Sequence, residues 1–356
     1  MTPLKTLFIL FVCNLFLAAN LFAQDSTKLK NTYFQLTLIP PLGTNGWESF
    51  KTTNNVSVNI FAGVSGGLNG VEAGGFSNII LHDVKGVQGA GFANVTLNNL
   101  YGCQGSGFAN VNLGEAKGAQ LAGFVNYNQK KFIGVQGSGF ANLALKNFKG
   151  AQLAGFANIV KDSLQGVQVS GYFNYAKYVK GAQIGFINVA DSVDGISLAF
   201  LSIVKKGLHQ LEISADELFY TNLAVRTGTS RFYNVFGLGF GTSNKDFLWN
   251  YSYGIGTSLK VNDKWNGDVL LSAQHISKNG FHFGASELYK LYIGAEYRIA
   301  KKFTLAAGPT FNLLLTDNLL TDDYASIAPY SMMNYNTSSD FNLKAWVGGR
   351  VALRFF

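Results

Sequence analysis

The sequence predicts an all-β protein, in which a β-solenoid of 16-residue repeats precedes a small antiparallel transmembrane β-barrel of eight to ten strands. A short motif recurs at a fixed step through the first half, and two-residue alternation replaces it after residue 207. The mature sequence has no apolar stretch long enough for a membrane helix, so a closed barrel is the remaining way to span a bilayer. We divide the chain into a signal peptide (1–23), an N-terminal segment with a possible first barrel strand (24–53), the repeat solenoid (54–200) and the barrel (201–356).

The first 23 residues have the pattern of a secretory signal peptide. A basic start at Lys5 precedes an apolar run over residues 7–19, and Ala23 offers a small residue for cleavage. The run is too short to span a membrane comfortably. Cleavage would leave Cys103 as the only cysteine, which excludes an internal disulfide. Because Val or Ala takes its place in other repeats, we expect Cys103 to be buried.

The repeat is a Gly-aromatic-x-Asn motif that returns every 16 residues. It runs from Gly75 to Gly171 in register, and the last copy, at Gly185, follows after 14 residues. A Gly-x-Gln motif precedes the later copies, first at Gly86. A fixed step means that each copy forms the same coil and stacks on the previous one, since one copy cannot bury its own apolar side chains.

Within a coil, Val87, Phe92 and Leu97 are five residues apart, which predicts three short faces with strands ~4.8 Å apart between coils. We expect phenylalanines to stack on one another inside and the asparagines to form a structural amide ladder. Ion or sugar binding is the functional alternative for the asparagines, but the acidic pattern of calcium solenoids is missing. The ladder would comprise Asn78, Asn94, Asn110, Asn126, Asn142, Asn158, Asn174 and Asn188.

The motif Gly-Val-Gln-x-x-Gly-Phe-Ala-Asn resembles the surface-repeat outer-membrane proteins of Bacteroidota and Leptospira. The resemblance covers residues 54–200, and residues 39–46 also look like that family. It implies a protein of a bacterial outer membrane and carries over no biochemical activity. A rival interpretation makes each copy one barrel strand and a turn, but neither alternating face of residues 86–95 is consistently apolar.

After residue 207 the alternation is that of barrel strands. Tyr251, Tyr253 and Ile255 share one face, opposite small residues such as Gly254. Apolar outside and polar or small inside is the rule for transmembrane barrels. Short turns at 228–230, 262–263 and 300–301 alternate with longer loops at 242–247, 277–286 and 316–340, as in bacterial barrels. The eight predicted strands are 207–215, 218–227, 231–241, 248–260, 264–276, 287–299, 302–315 and 342–356.

Two more segments alternate and could raise the strand number to ten. Residues 33–39 would form a first barrel strand, and residues 195–204 would pair before residue 207. Ten strands would place the array outside the cell, between the first two strands. Eight strands with a periplasmic array remain the alternative.

These features predict a non-enzymatic outer-membrane surface protein with a surface-exposed array, a role in adhesion or as a scaffold, and membrane lipid as its partner. Loop residues 324–336 could contact an extracellular ligand of unknown identity. The net charge of +8 is diffuse, which argues against nucleic-acid binding. The four histidines lack metal-type spacing and no cofactor motif occurs, so neither metal nor cofactor is predicted. A small channel is an alternative, although barrels of this size are mostly filled by side chains.

An enzymatic alternative rests on His275, Ser277 and Glu287. By alternation all three face lipid near the external rim, where a base, a hydroxyl and an orienting carboxylate could meet. The pattern resembles the His-x-Ser motif of the lipid A 3-O-deacylases. That resemblance implies His275 as base, Ser277 as nucleophile and Glu287 as the group that orients the histidine. Lys278 stands where that family has Asn, and the spacing to the glutamate differs.

Overall fold

The computed structural model describes residues 29–243, 246–280, 286–317, 327, 330–337 and 341–355. The predicted signal peptide, His282 and most of the loop after residue 317 lie outside this part. The described residues are almost entirely β, with a 3-10 helix at Gly46–Lys51. The chain divides into two compact units, Met1–Ala190 and Asp191–Phe356.

The first unit is a parallel β-solenoid, as the repeat predicts. From Val84 to Ala154, each coil contains a strand of seven residues and a strand of four, joined by short bends. Beyond that point the strands are longer and continue through the bend that separates them in earlier coils. Two strands per coil replace the three faces we expected, because residues such as 97–99 form a bend without a strand. The strands are β1 (Lys30–Ile39), β2 (Leu42–Gly43), β3 (Thr52–Asn59), β4 (Ala62–Ser65), β5 (Gly67–Gly74), β6 (Ser77–Ile80), β7 (Val84–Ala90), β8 (Ala93–Thr96), β9 (Leu100–Ser106), β10 (Ala109–Asn112), β11 (Ala116–Ala122), β12 (Val125–Asn128), β13 (Phe132–Ser138), β14 (Ala141–Ala144), β15 (Phe148–Ala154), β16 (Ala157–Ser170) and β17 (Phe173–Val204).

The predicted asparagine ladder is present, and a glutamine ladder runs beside it. Each asparagine Nδ2 donates to the Oδ1 of the next coil, as from Asn94 to Asn110 at 3.0 Å. Each glutamine Nε2 donates to the Oε1 of the preceding coil, as from Gln104 to Gln88 at 2.8 Å. The two rows of amide dipoles therefore point in opposite directions along the solenoid axis. Both ladders are fully buried.

The phenylalanine column was expected inside the coils, and this expectation is wrong. The rings stack with centroids 4.7–5.1 Å apart from Phe76 to Tyr172, but they project outwards, and Phe124 is 41% exposed. A bend at Gly91–Phe92 separates the two strands of the coil, so the inward position of Asn94 does not carry back to Phe92. Cys103 is exposed as well, which corrects the expectation of burial.

Residues 33–39 do not form a barrel strand, so the ten-strand interpretation is wrong. They belong to β1, which pairs in parallel with β3, from Lys30 opposite Thr52 to Thr37 opposite Asn59. The solenoid therefore begins near residue 30, ahead of the predicted boundary at 54. The alternation in β1 arises because Gln35 and Thr37 face the solenoid interior.

The second unit contains a closed antiparallel barrel of eight strands. Neighbouring strands pair in sequence order, and β18 closes the ring against β26, with Leu211 opposite Phe355. A short strand, β25, pairs with the beginning of β26 beyond the reach of β18. The strands are β18 (Leu208–Asp216), β19 (Thr221–Thr229), β20 (Phe232–Ser243), β21 (Asp246–Lys260), β22 (Trp265–Lys278), β23 (Ser286–Ala300), β24 (Phe303–Asp317), β25 (Met333–Thr337) and β26 (Phe341–Phe355).

One end of the barrel has short turns, and the other end has connections of mixed length. Residues 230–231, 261–264 and 301–302 form the short turns, and the chain enters and leaves the barrel at this end. At the other end the connections 279–285 and 318–340 are longer. The predicted loop at 242–247 is wrong, because β20 and β21 extend to Ser243 and Asp246 and leave two residues between them.

Residues 195–204 do not form a barrel strand either. They end β17 and lie against the outer face of β19 to β21, near the short turns. Thr227 Oγ1 donates to the Ser202 carbonyl at 2.8 Å, and Asn234 Nδ2 donates to the Ala199 carbonyl at 2.8 Å. These bonds use side chains of the barrel, so the segment covers the wall without joining the sheet.

Candidate functional site

The outer surface of the barrel is an apolar belt to which all eight strands contribute. Side chains alternate along each strand, so the outward positions collect the large apolar residues. Leu271 is 51% exposed and Val351 is 55% exposed, although buried apolar side chains would stabilise a soluble fold. One outward residue from each strand in order shows the ring: Ile213, Val225, Leu238, Tyr251, Leu271, Ile293, Phe311 and Val351.

Aromatic side chains lie at both rims of this belt. Trp265 packs on Tyr297 at the short-turn end, with ring centroids 4.9 Å apart, and Phe240 packs on Phe247 at the loop end at 6.1 Å. The 14 residues of β22 are roughly 45 Å long at ~3.4 Å per residue. A tilt of about 40° would reduce this to about 35 Å along the barrel axis, enough for an apolar band about 25 Å tall between two aromatic girdles.

The inward positions carry a balanced network of buried charges. Arg354 contacts Glu212 at 2.6 Å and Asp268 at 2.7 Å, and it also pairs with Glu296. Arg226 bonds Asp268 at 3.1 Å. Four cations and four carboxylates meet inside the barrel, with side chains all at most 8% exposed: Arg226, Lys290, Arg350, Arg354, Glu212, Asp216, Asp268 and Glu296. Removing such charges from water is costly, and their mutual pairing offsets that cost.

Towards the loop end, an apolar cluster fills the interior. Phe219, Leu288 and Trp346 are at most 2% exposed and pack with five more buried residues. A cavity of about 20 Å³, lined by residues that include Asp216, Gln274 and Arg350, has room for about one water molecule. Among the described residues, buried ion pairs and the apolar cluster therefore occupy much of the barrel interior.

This network was not predicted from the sequence, although a signal was available. Each member is a charged residue at an inward position of an alternating strand, as Asp268 is between Gly267 and Val269. Which charges meet depends on strand register and on the β18–β26 closure, and neither can be obtained from one strand alone.

Of the three residues of the enzymatic alternative, the structure brings two together. His275 Nδ1 is 2.7 Å from Glu287 Oε1, and the imidazole stacks on Tyr251 with centroids 5.1 Å apart. Ser277 lies opposite Trp249 in the ladder and is only 1% exposed. The pair has the geometry of a base and its orienting carboxylate, but the Ser277 hydroxyl is not open to a substrate.

The part of the chain that the structure describes holds no group of three or more His, Cys, Asp or Glu side chains able to bind a metal ion. Within the same residues, no helix has the length and apolar character needed to cross a membrane.

Comparisons with known proteins found matches among solved structures alone. No family model matches the chain, and no curated protein matches it. Among the solved structures that match is the outer membrane protein Ail of Yersinia pestis, determined in a phospholipid bilayer nanodisc. It is 13% identical, with a TM-score of 0.22, over 41% of this chain and 99% of that one. At that similarity the match carries no argument about function.

Proposed function

We propose that this protein is an integral outer-membrane protein whose barrel anchors the repeat solenoid to the membrane. The observation that carries the proposal is the continuous apolar belt around an interior of paired charges. A monomeric soluble protein rarely exposes a large contiguous apolar surface. In a bilayer the belt would contact acyl chains, and the closed ladder would leave no peptide group unpaired. Membrane lipid is therefore the proposed partner.

We propose a scaffold role without transport or catalysis. Ion pairs and the apolar cluster fill the barrel, which argues against a channel. Steady conductance steps in planar bilayers would contradict this, because they would mean that the interior opens. A deacylase would need an accessible nucleophile, and the burial of Ser277 argues against that second candidate, although the His275–Glu287 contact favours it.

We propose that the array is periplasmic and that the long loops face outside. Bacterial barrels have short periplasmic turns and longer external loops. The chain enters this barrel at the short-turn end, after residue 207. The expected display of the array on the cell surface depended on ten strands, so it has lost its support. An adhesive contact would then use the loop end, where Met332 and Tyr335 are 70% and 63% exposed.

Two measurements test this proposal. An inserted barrel should remain folded in unheated detergent samples, so heated and unheated protein should migrate differently on gels, and the protein should fractionate with outer membranes. Recovery in the soluble fraction would refute the membrane proposal.

Sidedness is tested with single cysteines in a Cys103→Ser background. A membrane-impermeant maleimide should label Met333→Cys on intact cells. It should label Gln129→Cys only after the outer membrane is permeabilised. Both positions are exposed in the structure. Labelling of Gln129→Cys on intact cells would place the array outside.

A further inference from the structure

One side of the solenoid is an uncharged apolar surface, which we call the apolar ridge. It consists of five columns that begin at Val71, Ala73, Phe76, Ser77 and Ile79 and repeat every 16 residues for seven coils. In the Ser77 column the small side chains of Ala109, Ala141 and Ala157 are covered by their neighbours, and the other four columns form the open surface. No position in these columns has a charged side chain. The phenylalanine column forms the crest, and strands flank it on both sides.

The ridge is large and open to its surroundings. Val87 is 49%, Leu121 56% and Phe156 42% exposed. Six steps of ~4.8 Å make the ridge roughly 30 Å long, and with its flanks it covers on the order of 600 Å². That is the upper end of what monomeric proteins expose, and patches of that size mark interaction or membrane surfaces. The solenoid core does not require these residues, because amide ladders and inward apolar side chains fill it.

Lysines flank the ridge. Lys85, Lys117 and Lys149 lie in register on the long strands, two residues before the first ridge column. Lys177 lies two residues beyond the last column at Tyr175. Between residues 30 and 190 there are 11 lysines, no arginine and five acidic residues, of which Glu72 is buried. An apolar strip bordered by lysines is the composition of elements that lie in a membrane interface.

We propose that the apolar ridge binds the surface of an anionic phospholipid leaflet, with the phenylalanine edges among the upper acyl chains and the flanking lysines at the headgroups. The proposal rests on the proposed function, which puts the periplasmic leaflet within reach of the array. The positive charge favours anionic lipid, since juxtamembrane lysines are attracted to such surfaces. The ridge has no charged side chain, and its few polar side chains, such as Ser77 and the tyrosine hydroxyls, offer little to specify a soluble protein partner.

Cys103 provides the probe, because it is exposed within the first ridge column. The full chain with Cys13→Ser would be labelled at Cys103 with an environment-sensitive fluorophore. It would then be reconstituted into vesicles of phosphatidylcholine and phosphatidylglycerol that carry nitroxide-labelled lipids. We expect at least about a twofold loss of fluorescence, and less in phosphatidylcholine alone. The variant Leu121→Glu/Leu153→Glu should abolish the quenching, since both side chains project outwards.

Two control probes separate this proposal from the previous one. A probe at Leu271→Cys on the barrel belt should be quenched in every preparation. A probe at the exposed Glu115→Cys should not, because residues 113–115 form the bend at the opposite end of the coil's strands from the phenylalanine crest. Quenching at Leu271 but not at Cys103 would overturn the ridge proposal and leave the barrel proposal intact. If neither probe is quenched, both the barrel proposal and the ridge proposal are overturned. Cross-linking of Cys103 between two chains, without quenching, would assign the ridge to a second copy and overturn the lipid proposal.

Discussion

Replacement of Glu72 by glutamine should make the solenoid more stable at alkaline pH and not at acidic pH. Glu72 begins the glutamine column, where its Oε2 accepts from Gln88 Nε2 at 2.8 Å and its Oε1 accepts from Asn59 Nδ2 at 3.1 Å. Burial raises its pKa from 4.5 to about 7, against the hydrogen bonds that lower it. The folded chain therefore holds this proton more tightly than the unfolded chain.

The free energy of unfolding should consequently fall as the pH rises from about 4.5 to about 7, and then level off. A difference of about 2.5 pKa units corresponds to about 3 kcal/mol, as an upper limit. The introduced glutamine would accept from Gln88 as the other glutamines do, and its amide would face Ser57, but Asn59 would lose one bond worth about 1 kcal/mol. We expect Glu72→Gln to stabilise the first coils by about 2 kcal/mol at pH 8.5 and to destabilise them slightly at pH 4.5.

Hydrogen exchange of peptides from residues 67–90 in the full chain, compared with wild type at each pH, measures this free energy locally. The exposed Glu115→Gln is the matched control and should change nothing. A Glu72→Gln effect of the same size at both pH values would refute the argument from burial.

Three further predictions concern a strand glycine of the solenoid, the barrel charges and the histidine site. Gly118→Ala should destabilise the solenoid by about 3 kcal/mol, because Gly118 has φ +140° and a Cβ there would overlap the Gly102 carbonyl. The control Gly105→Ala should cost under about 1 kcal/mol, because its Cβ would lie in open space. Equal effects of the two variants on hydrogen exchange would contradict this prediction. Arg354→Met should destabilise the barrel by about 3–5 kcal/mol, seen as a lower temperature for the gel shift, while the exposed Arg298→Met should leave that temperature unchanged. Ser277→Ala and His275→Ala should leave the acylation of lipid A unchanged when it is measured by mass spectrometry. A deacylated lipid A that is present with the wild type and missing with both variants would restore the enzymatic alternative.

The repeat array was predictable because a fixed step determines which residues are neighbours. Once Asn94 and Asn110 are 16 residues apart, stacking of identical coils places them in contact, as the structure shows. The direction of Phe92 was not predictable in the same way, because the bend before it interrupts the alternation. The position of Cys103 failed for a related reason. Its column contains Val and Ala, which suit an exposed ridge as well as a core.

For the barrel, alternation predicted the eight strands, with ends within a few residues. Tyr251, Tyr253 and Ile255 do face outwards, as expected. The same alternation misassigned residues 33–39, because a solenoid strand with one buried face has the same period as a barrel strand. The contact between His275 and Glu287 followed from adjacent strands. The burial of Ser277 did not, since it depends on side chains that pack around the rim.

Both units bury polar side chains and expose large apolar ones, yet they satisfy the buried polar groups by different chemistry. The strand arrangement explains why. In the solenoid each residue stacks on its own counterpart, so a column of like charges would repel, whereas an amide both donates to and accepts from a copy of itself. In the antiparallel barrel different strands become neighbours, so a cation such as Arg354 can meet carboxylates from other strands. Glu72 fits this rule, because the preceding coil has Ser57 in the same column and no second carboxylate. A carboxylate in place of the Gln120 amide could still accept from Gln136 Nε2, but it would have no N–H to donate to Gln104 Oε1. That buried oxygen would lose its donor. We therefore expect Gln120→Glu to disrupt the ladder more than Glu72→Gln does at any pH.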